Sequence, residues 1–148
     1  SMPAGIPKVL IVDDEPAIIQ MIGCVLEIRG YEVAGAKDGR DALAYLESNG
    51  RPDLVISDLL MPRMNGLEFC RRMKSDPRWS DIPLMIVTSA TQGTDLADGF
   101  WRIGTQADDF VTKPVDPFDL ADRVERMIQK GTSSGQAEMD NSEMGEDL

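Results

Sequence analysis

The chain has 148 residues, and its 15 Lys and Arg against 26 Asp and Glu leave a formal net charge of −11. That length suits one ordinary domain, and a 42% apolar share can supply its core. The charge argues against a nucleic-acid or anionic membrane face, which needs a positive field, and the lack of any histidine excludes Ser–His and Cys–His catalysis within these residues.

Residues 1–7 are read as a lead, with Ser1-Met2 resembling a tag remnant. Lys8 to Val12 is a short apolar run rich in β-branched residues, as in parallel strands covered on both faces. It ends on Asp13, Asp14 and Glu15, and Pro16 then suits a first helical turn. Ile18, Ile22, Val25 and Leu26 recur at helical spacing until Gly30. Tyr31 to Ala36 is a weaker, half-polar strand, nearer an edge, and Asp38-Gly39 turns the chain. Ala42, Leu43 and Leu46 pattern a second helix, ended by Asn49-Gly50.

Leu54 to Ser57 is a buried third strand that stops on Asp58, after which Pro62, Asn65 and Gly66 mark a loop. Leu67, Phe69, Cys70 and Met73 pattern a third helix that fades into a polar loop, Ser75 to Asp81. Leu84 to Thr88 is a fourth strand, and Asp95 to Ile103 a less clean fourth helix. Phe110 to Thr112 is a fifth strand, followed by Lys113-Pro114. Phe118, Leu120, Ala121, Val124, Met127 and Ile128 predict a final amphipathic helix. Residues 131–148 carry acids without periodicity and read as a disordered tail or the start of a linker. Cys24 and Cys70 lie in apolar helical patterns and are read as buried reduced thiols, with no zinc spacing, which suits a reducing cytosol. No apolar run approaches the ~18 residues of a membrane helix, and no signal peptide is visible.

Strand and helix alternate five times, the pattern of a doubly wound α/β sheet, whose ligands bind at the carboxyl ends of the strands. Asp13 and Asp14, Asp58, Thr88 and Lys113 all stand at such ends. Each has a plainer reading: Asp58 as a turn cap, Asp14 as a helix cap, Thr88 as core, Lys113 as surface charge. Their convergence at one edge points further. Three carboxylates repel one another, and a hard divalent cation, magnesium or manganese, relieves this. A lysine and a hydroxyl suit phosphoryl oxygens, and Asp58 is the carboxylate placed as nucleophile for an acyl phosphate.

These residues resemble the receiver domain of two-component response regulators, over about Lys8 to Lys130. The matching elements are Asp13-Asp14-Glu15, Asp58 with Met61-Pro62 and Gly66, Thr88-Ser89-Ala90, and Phe110 to Lys113-Pro114. The resemblance implies a CheY-like, flavodoxin-type domain at 8–130: five parallel strands in the order 2-1-3-4-5 with five helices. It implies Asp58 as phosphoacceptor, with Asp13, Asp14, Asp58 and the backbone carbonyl of Leu60 holding Mg2+ (Mn2+ as the substitute). Thr88 and Lys113 would contact the phosphoryl group. Thr88 and Phe110 would form a switch, against plain core packing for Phe110. Pro62, Gly66 and Pro114 would be structural, Pro114 after a cis bond. The donor would be a sensor histidine kinase or histidine phosphotransfer protein. The readout would be the helix 4–strand 5–helix 5 face, about Asp95 to Lys130, toward an output domain, a partner protein or a homodimer. A cytoplasmic, bacterial, non-enzymatic signalling domain follows from the same resemblance.

The chain departs from the family at Ser89, where alanine is common, and where Thr105 and Gln106 separate Gly104 from Ala107, which implies a longer segment before the fifth strand. Phe100 and Trp101, adjacent in the fourth helix, cannot both face inward. Leu60 and Ala90 cannot orient an attacking water, which implies slow self-dephosphorylation. A haloacid dehalogenase-type phosphatase would want an Asp where Leu60 stands, and a P-loop domain would want a Gly-Lys-Ser/Thr loop. A phosphorylation-independent interaction module on the same fold is the alternative function.

Overall fold

A computed structural model of the chain describes residues 5–61, 64–89 and 104–130. The element order is β1 (Lys8–Val12), α1 (Pro16–Ile28), β2 (Glu32–Ala36), α2 (Gly39–Asn49), β3 (Leu54–Ser57), α3 (Gly66–Ser75), β4 (Leu84–Thr88) and β5 (Asp109–Thr112), then a helix over 117–130. All strand pairings are parallel, in the order β2-β1-β3-β4-β5. The predicted fourth helix, with Phe100 and Trp101, lies outside the described residues, as do Ser1-Met2, Pro62, Ala90 and 131–148.

Period-2 alternation splits each central strand between two apolar layers. Leu10, Val12, Val55 and Ile86 face α2 and α3, where Phe69, Cys70 and Met73 are fully buried. Val9, Ile11, Leu54, Ile56, Met85 and Val87 face α1 and the last helix, meeting Leu26, Leu120 and Val124. With both faces covered, β3 and β4 are buried at every residue, which is why they read as unbroken apolar runs. β2, half exposed, is an edge strand as expected, and β5 is the other edge.

The helix ends follow local chemistry. The Asp38 side chain accepts from the Asp41 amide at 2.9 Å and caps α2. Asn65 accepts from the Glu68 amide at 2.9 Å, so Asn65-Gly66 opens α3 rather than only marking a loop. Gly30 takes φ +92° after α1, the left-handed conformation that glycine adopts most cheaply. The segment after α3 is less polar than it reads: Trp79 and Ile82 are buried in the core, and the Arg78 guanidinium stacks 4.1 Å from the Trp79 ring centre. The Lys113–Pro114 bond is cis. Residues 104–105 are helical and Gln106 takes φ +56°, so the left-handed turn before Ala107 falls to a non-glycine residue.

One expectation is corrected. Cys70 is buried, but Cys24 is exposed. α1 is apolar on more than one side: Ile22, Gly23, Val25 and Leu26 turn inward, while Ala17, Met21, Cys24 and Ile28 form an exposed stripe at helical spacing. Both cysteines are free thiols, and burial pushes the Cys70 thiol up to about 12. In the native chain a thiol-specific maleimide should therefore modify Cys24 and spare Cys70, read by peptide mass mapping. Both should react after denaturation; native labelling of Cys70 at a comparable rate would contradict the packing of α3 on the sheet.

Candidate functional site

β1 and β3 are neighbours in register, Val12 opposite Ser57, so the residues that follow them, Asp13 and Asp58, emerge side by side. The Asp58 amide donates to the Val12 carbonyl at 2.9 Å, which extends that pairing one residue past the strands. Likewise the Lys113 amide donates to the Thr88 carbonyl at 3.0 Å, so β5 delivers Lys113 to the same edge. Asp13 and Asp58 are 2% and 6% exposed, while Asp14 is exposed at the mouth.

Two buried carboxylates need a partner, and the Lys113 ammonium supplies it. Its Nζ donates to Asp13 Oδ2 at 2.8 Å and to Asp58 Oδ2 at 2.9 Å, with Glu15 Oε1 at 4.0 Å. The remaining oxygens are held by backbone amides. Asp13 Oδ1 accepts from Glu15 at 2.9 Å; Asp58 Oδ1 accepts from Leu59 at 2.6 Å and Leu60 at 3.2 Å. The plain reading of Asp58 as a turn cap is thus true of one oxygen, while the other faces the lysine. Burial opposes the charge on Lys113, yet the hydrogen bonds to Asp13 and Asp58 outweigh it and raise its pKa. For Asp13, burial is the largest influence and wins over Lys113, so its pKa is raised.

Asp13, Asp14 and Asp58 each offer an oxygen within 4.8 Å of the others. Three hard anionic donors at a mouth open through Asp14 fit a divalent cation of the magnesium class, and this is the fit the resemblance implies. Thr88 is fully buried at the end of β4, and Phe110, half-buried on β5, packs against the α2–α3 layer. The exposed Leu60 flanks the mouth at 57% exposure. Gly66 holds the loop down: its amide donates to the Leu59 carbonyl at 2.8 Å, and a Cβ there would stand 1.8 Å from the Asp58 carbonyl oxygen. Only glycine permits that approach of α3 to the turn bearing Asp58. Sequence reasoning missed Ser57, fully buried, whose Oγ donates to the Asp58 carbonyl at 2.8 Å; a polar residue closing an apolar strand was the available signal.

The strand order and the gathering of acids at the carboxyl edge place the chain in the CheY-like class of doubly wound domains. It belongs to the response regulator receiver domain family, whose model matches residues 9–125. It is 37% identical over 124 residues to the DNA-binding dual master transcriptional regulator RpaA of Synechocystis, covering 84% of this chain and 50% of that protein. To the DNA-binding response regulator MtrA of Mycolicibacterium smegmatis it is 36% identical over 123 residues, 83% of this chain and 51% of the relative. The chain thus spans about half the length of these curated relatives. Among solved structures, the chemotaxis response regulator CheY4 of Vibrio cholerae matches with TM-score 0.74 and 34% identity, over 82% of this chain and 98% of that one. Receiver domains are the phosphoacceptor signalling modules of two-component systems rather than classical enzymes. No helix among the described residues is long and apolar enough to cross a membrane.

The raised pKa of Asp13 has a definite sign. Folding favours its neutral form, so its contribution to stability is present below the unfolded value near 3.8 and lost as pH rises through the folded value. Asp13→Asn, which removes the charge and whose carboxamide oxygen can still accept one of the two hydrogen bonds, should therefore unfold at a higher temperature than wild type at neutral pH in chelator. The advantage should shrink as pH is lowered toward that unfolded value. A variant less stable than wild type at neutral pH would show that the Lys113 pair outweighs burial.

Proposed function

We propose that residues 8–130 accept a phosphoryl group onto Asp58 from a sensor histidine kinase or histidine phosphotransfer protein, in a Mg2+-dependent step. The observation that carries this is the Lys113 ammonium held between Asp13 and Asp58, with Asp14 beside them. Asp13, Asp14, Asp58 and the backbone carbonyl of Leu60 would hold Mg2+, with Mn2+ as substitute. When bound, the cation neutralises phosphoryl oxygens and so eases attack by an anion.

The chain's own groups do the rest. The Asp58 carboxylate attacks the donor phosphorus; a P–O bond forms, the P–N bond to the donor imidazole breaks, and the imidazole nitrogen takes up a proton. The amides of Leu59 and Leu60 fix Asp58 Oδ1 in place, which leaves Oδ2 toward the site's cationic side. Lys113 exchanges a carboxylate partner for a phosphoryl oxygen, and the Thr88 hydroxyl contacts another. Phosphorylation then shifts the population toward an active form through Thr88 and Phe110, read out on the helix 4–strand 5–helix 5 face by an output domain, a partner protein or a second copy. Pro62, Gly66 and Pro114 shape the loops around this edge. The exposed α1 stripe of Ala17, Met21, Cys24 and Ile28 follows the acidic residues Asp13 to Glu15 in the chain and offers the donor an apolar surface. The net charge of −11 speaks against nucleic-acid contacts by this domain itself. The setting is cytoplasmic, and 131–148 is a tail or the start of a linker.

Acetyl phosphate with magnesium should add one phosphoryl group, read by intact mass. The adduct should be absent with chelator and in Asp58→Asn. A folded wild type that gains none would leave the phosphorylation-independent module as the function.

Self-dephosphorylation should be slow, because Leu60 offers no hydrogen bond to an attacking water and Ala90, outside the described residues, has no side-chain donor either. The adduct should persist for minutes or longer in mass time courses, and a half-life of seconds would refute this assignment.

A further inference from the structure

The opposite, amino-terminal edge of β4 and β5 carries a groove of about 640 Å³ that the phosphoryl chemistry does not use. Most of its charges are engaged. Lys74 donates to the Ile82 carbonyl at 2.7 Å and lies 3.6 Å from Asp108. Arg123 Nη1 donates to both oxygens of Asp109, at 2.9 and 3.0 Å, and Asp81 pairs with Arg51 at 2.7 Å. Arg126 and Lys130 differ: both are exposed on the groove wall, one turn apart, and neither forms an ion pair among the described residues. Like charges at that spacing repel on a helix, so two unneutralised cations face one groove in a strongly acidic chain.

The residues that leave Lys130 have the complementary charge. Positions 131–148 contain Glu138, Asp140, Glu143, Glu146 and Asp147 and no Lys or Arg. Eight residues can reach at most roughly 26–29 Å, so Glu138 is within reach of the groove from Lys130. Tethering gives a short segment an effective concentration of about millimolar, enough to sustain weak contacts. A free acidic partner lacks that advantage, and two copies of net charge −11 repel each other.

We propose that the acidic segment 131–148 docks in this groove of its own chain, its carboxylates against Arg126 and Lys130. The docking is electrostatic, so it weakens with salt and yields to any partner that offers acids to the same cations. It is independent of the phosphoacceptor reading.

Glu-specific protease tests it on the full chain at low salt. Cleavage after Glu138, Glu143 and Glu146 should run several-fold faster in Arg126→Gln/Lys130→Gln than in wild type. The difference should vanish at roughly 1 M salt, where the Debye length is about 3 Å. Equal rates at low salt would overturn the proposal. So would protection that grows with protein concentration, which would assign the contact to a second copy. A second measurement leaves the folded surface untouched: neutralising the five acids to Gln or Asn should move the amide resonances of Ser80, Asp81, Arg126 and Lys130 but not those of β1 to β3. Shifts confined to 131–148 would also overturn it.

Discussion

One ammonium group between two buried carboxylates organises the carboxyl edge of the sheet. Asp13 and Asp58 are close because β1 and β3 are paired in register, and neither is free to move apart. Withdrawing both from water costs several kcal/mol per uncompensated ion. Lys113 offsets part of that cost, with one Nζ shared by both acids. Three acids and one lysine still leave an excess of negative charge, and Asp14 presents it at the open mouth. A fold selected only for stability would have little reason to keep this cluster. The cluster is the cation and phosphoryl site proposed above.

The backbone around the cluster is correspondingly constrained. Gly66 lets α3 press onto the turn that carries Asp58, and Ser57 ties the carbonyl of Asp58 from below. Two amides then hold one oxygen of the acid. The nucleophile candidate is therefore oriented before any ligand arrives, which is how binding sites limit the entropy lost at the reacting step.

Much of this was legible in advance. Lys8–Val12, Leu54–Ser57 and Leu84–Thr88 were read with the bounds the structure has, because strands buried on both faces leave continuous apolar runs bracketed by polar residues. The nearness of Asp13, Asp14, Asp58 and Lys113 followed from parallel topology, since all stand just past strand ends. What failed depended on facing rather than on type. Cys24 sits in a helix apolar on two sides, and periodicity alone does not say which side the sheet takes. Trp79 sits among polar residues, and its burial depends on how the chain folds back after α3. The choice of Lys113 between acids is set by a long side chain whose reach covers several partners, so only coordinates decide it.

The placement of Lys113 has a mechanical consequence. Its amide is bonded to the Thr88 carbonyl, and Thr88 is paired in register with Thr112. In the proposed switch, a change in the partner of its ammonium would act next to the junction of β4 and β5. β5 is an edge strand without a buried residue, three of its four being half-buried and one exposed. Fewer apolar contacts oppose its displacement than would oppose movement of β1 or β3, which lie wholly or almost wholly within the core. The switch proposed through Thr88 and Phe110 would therefore meet least packing resistance at β5.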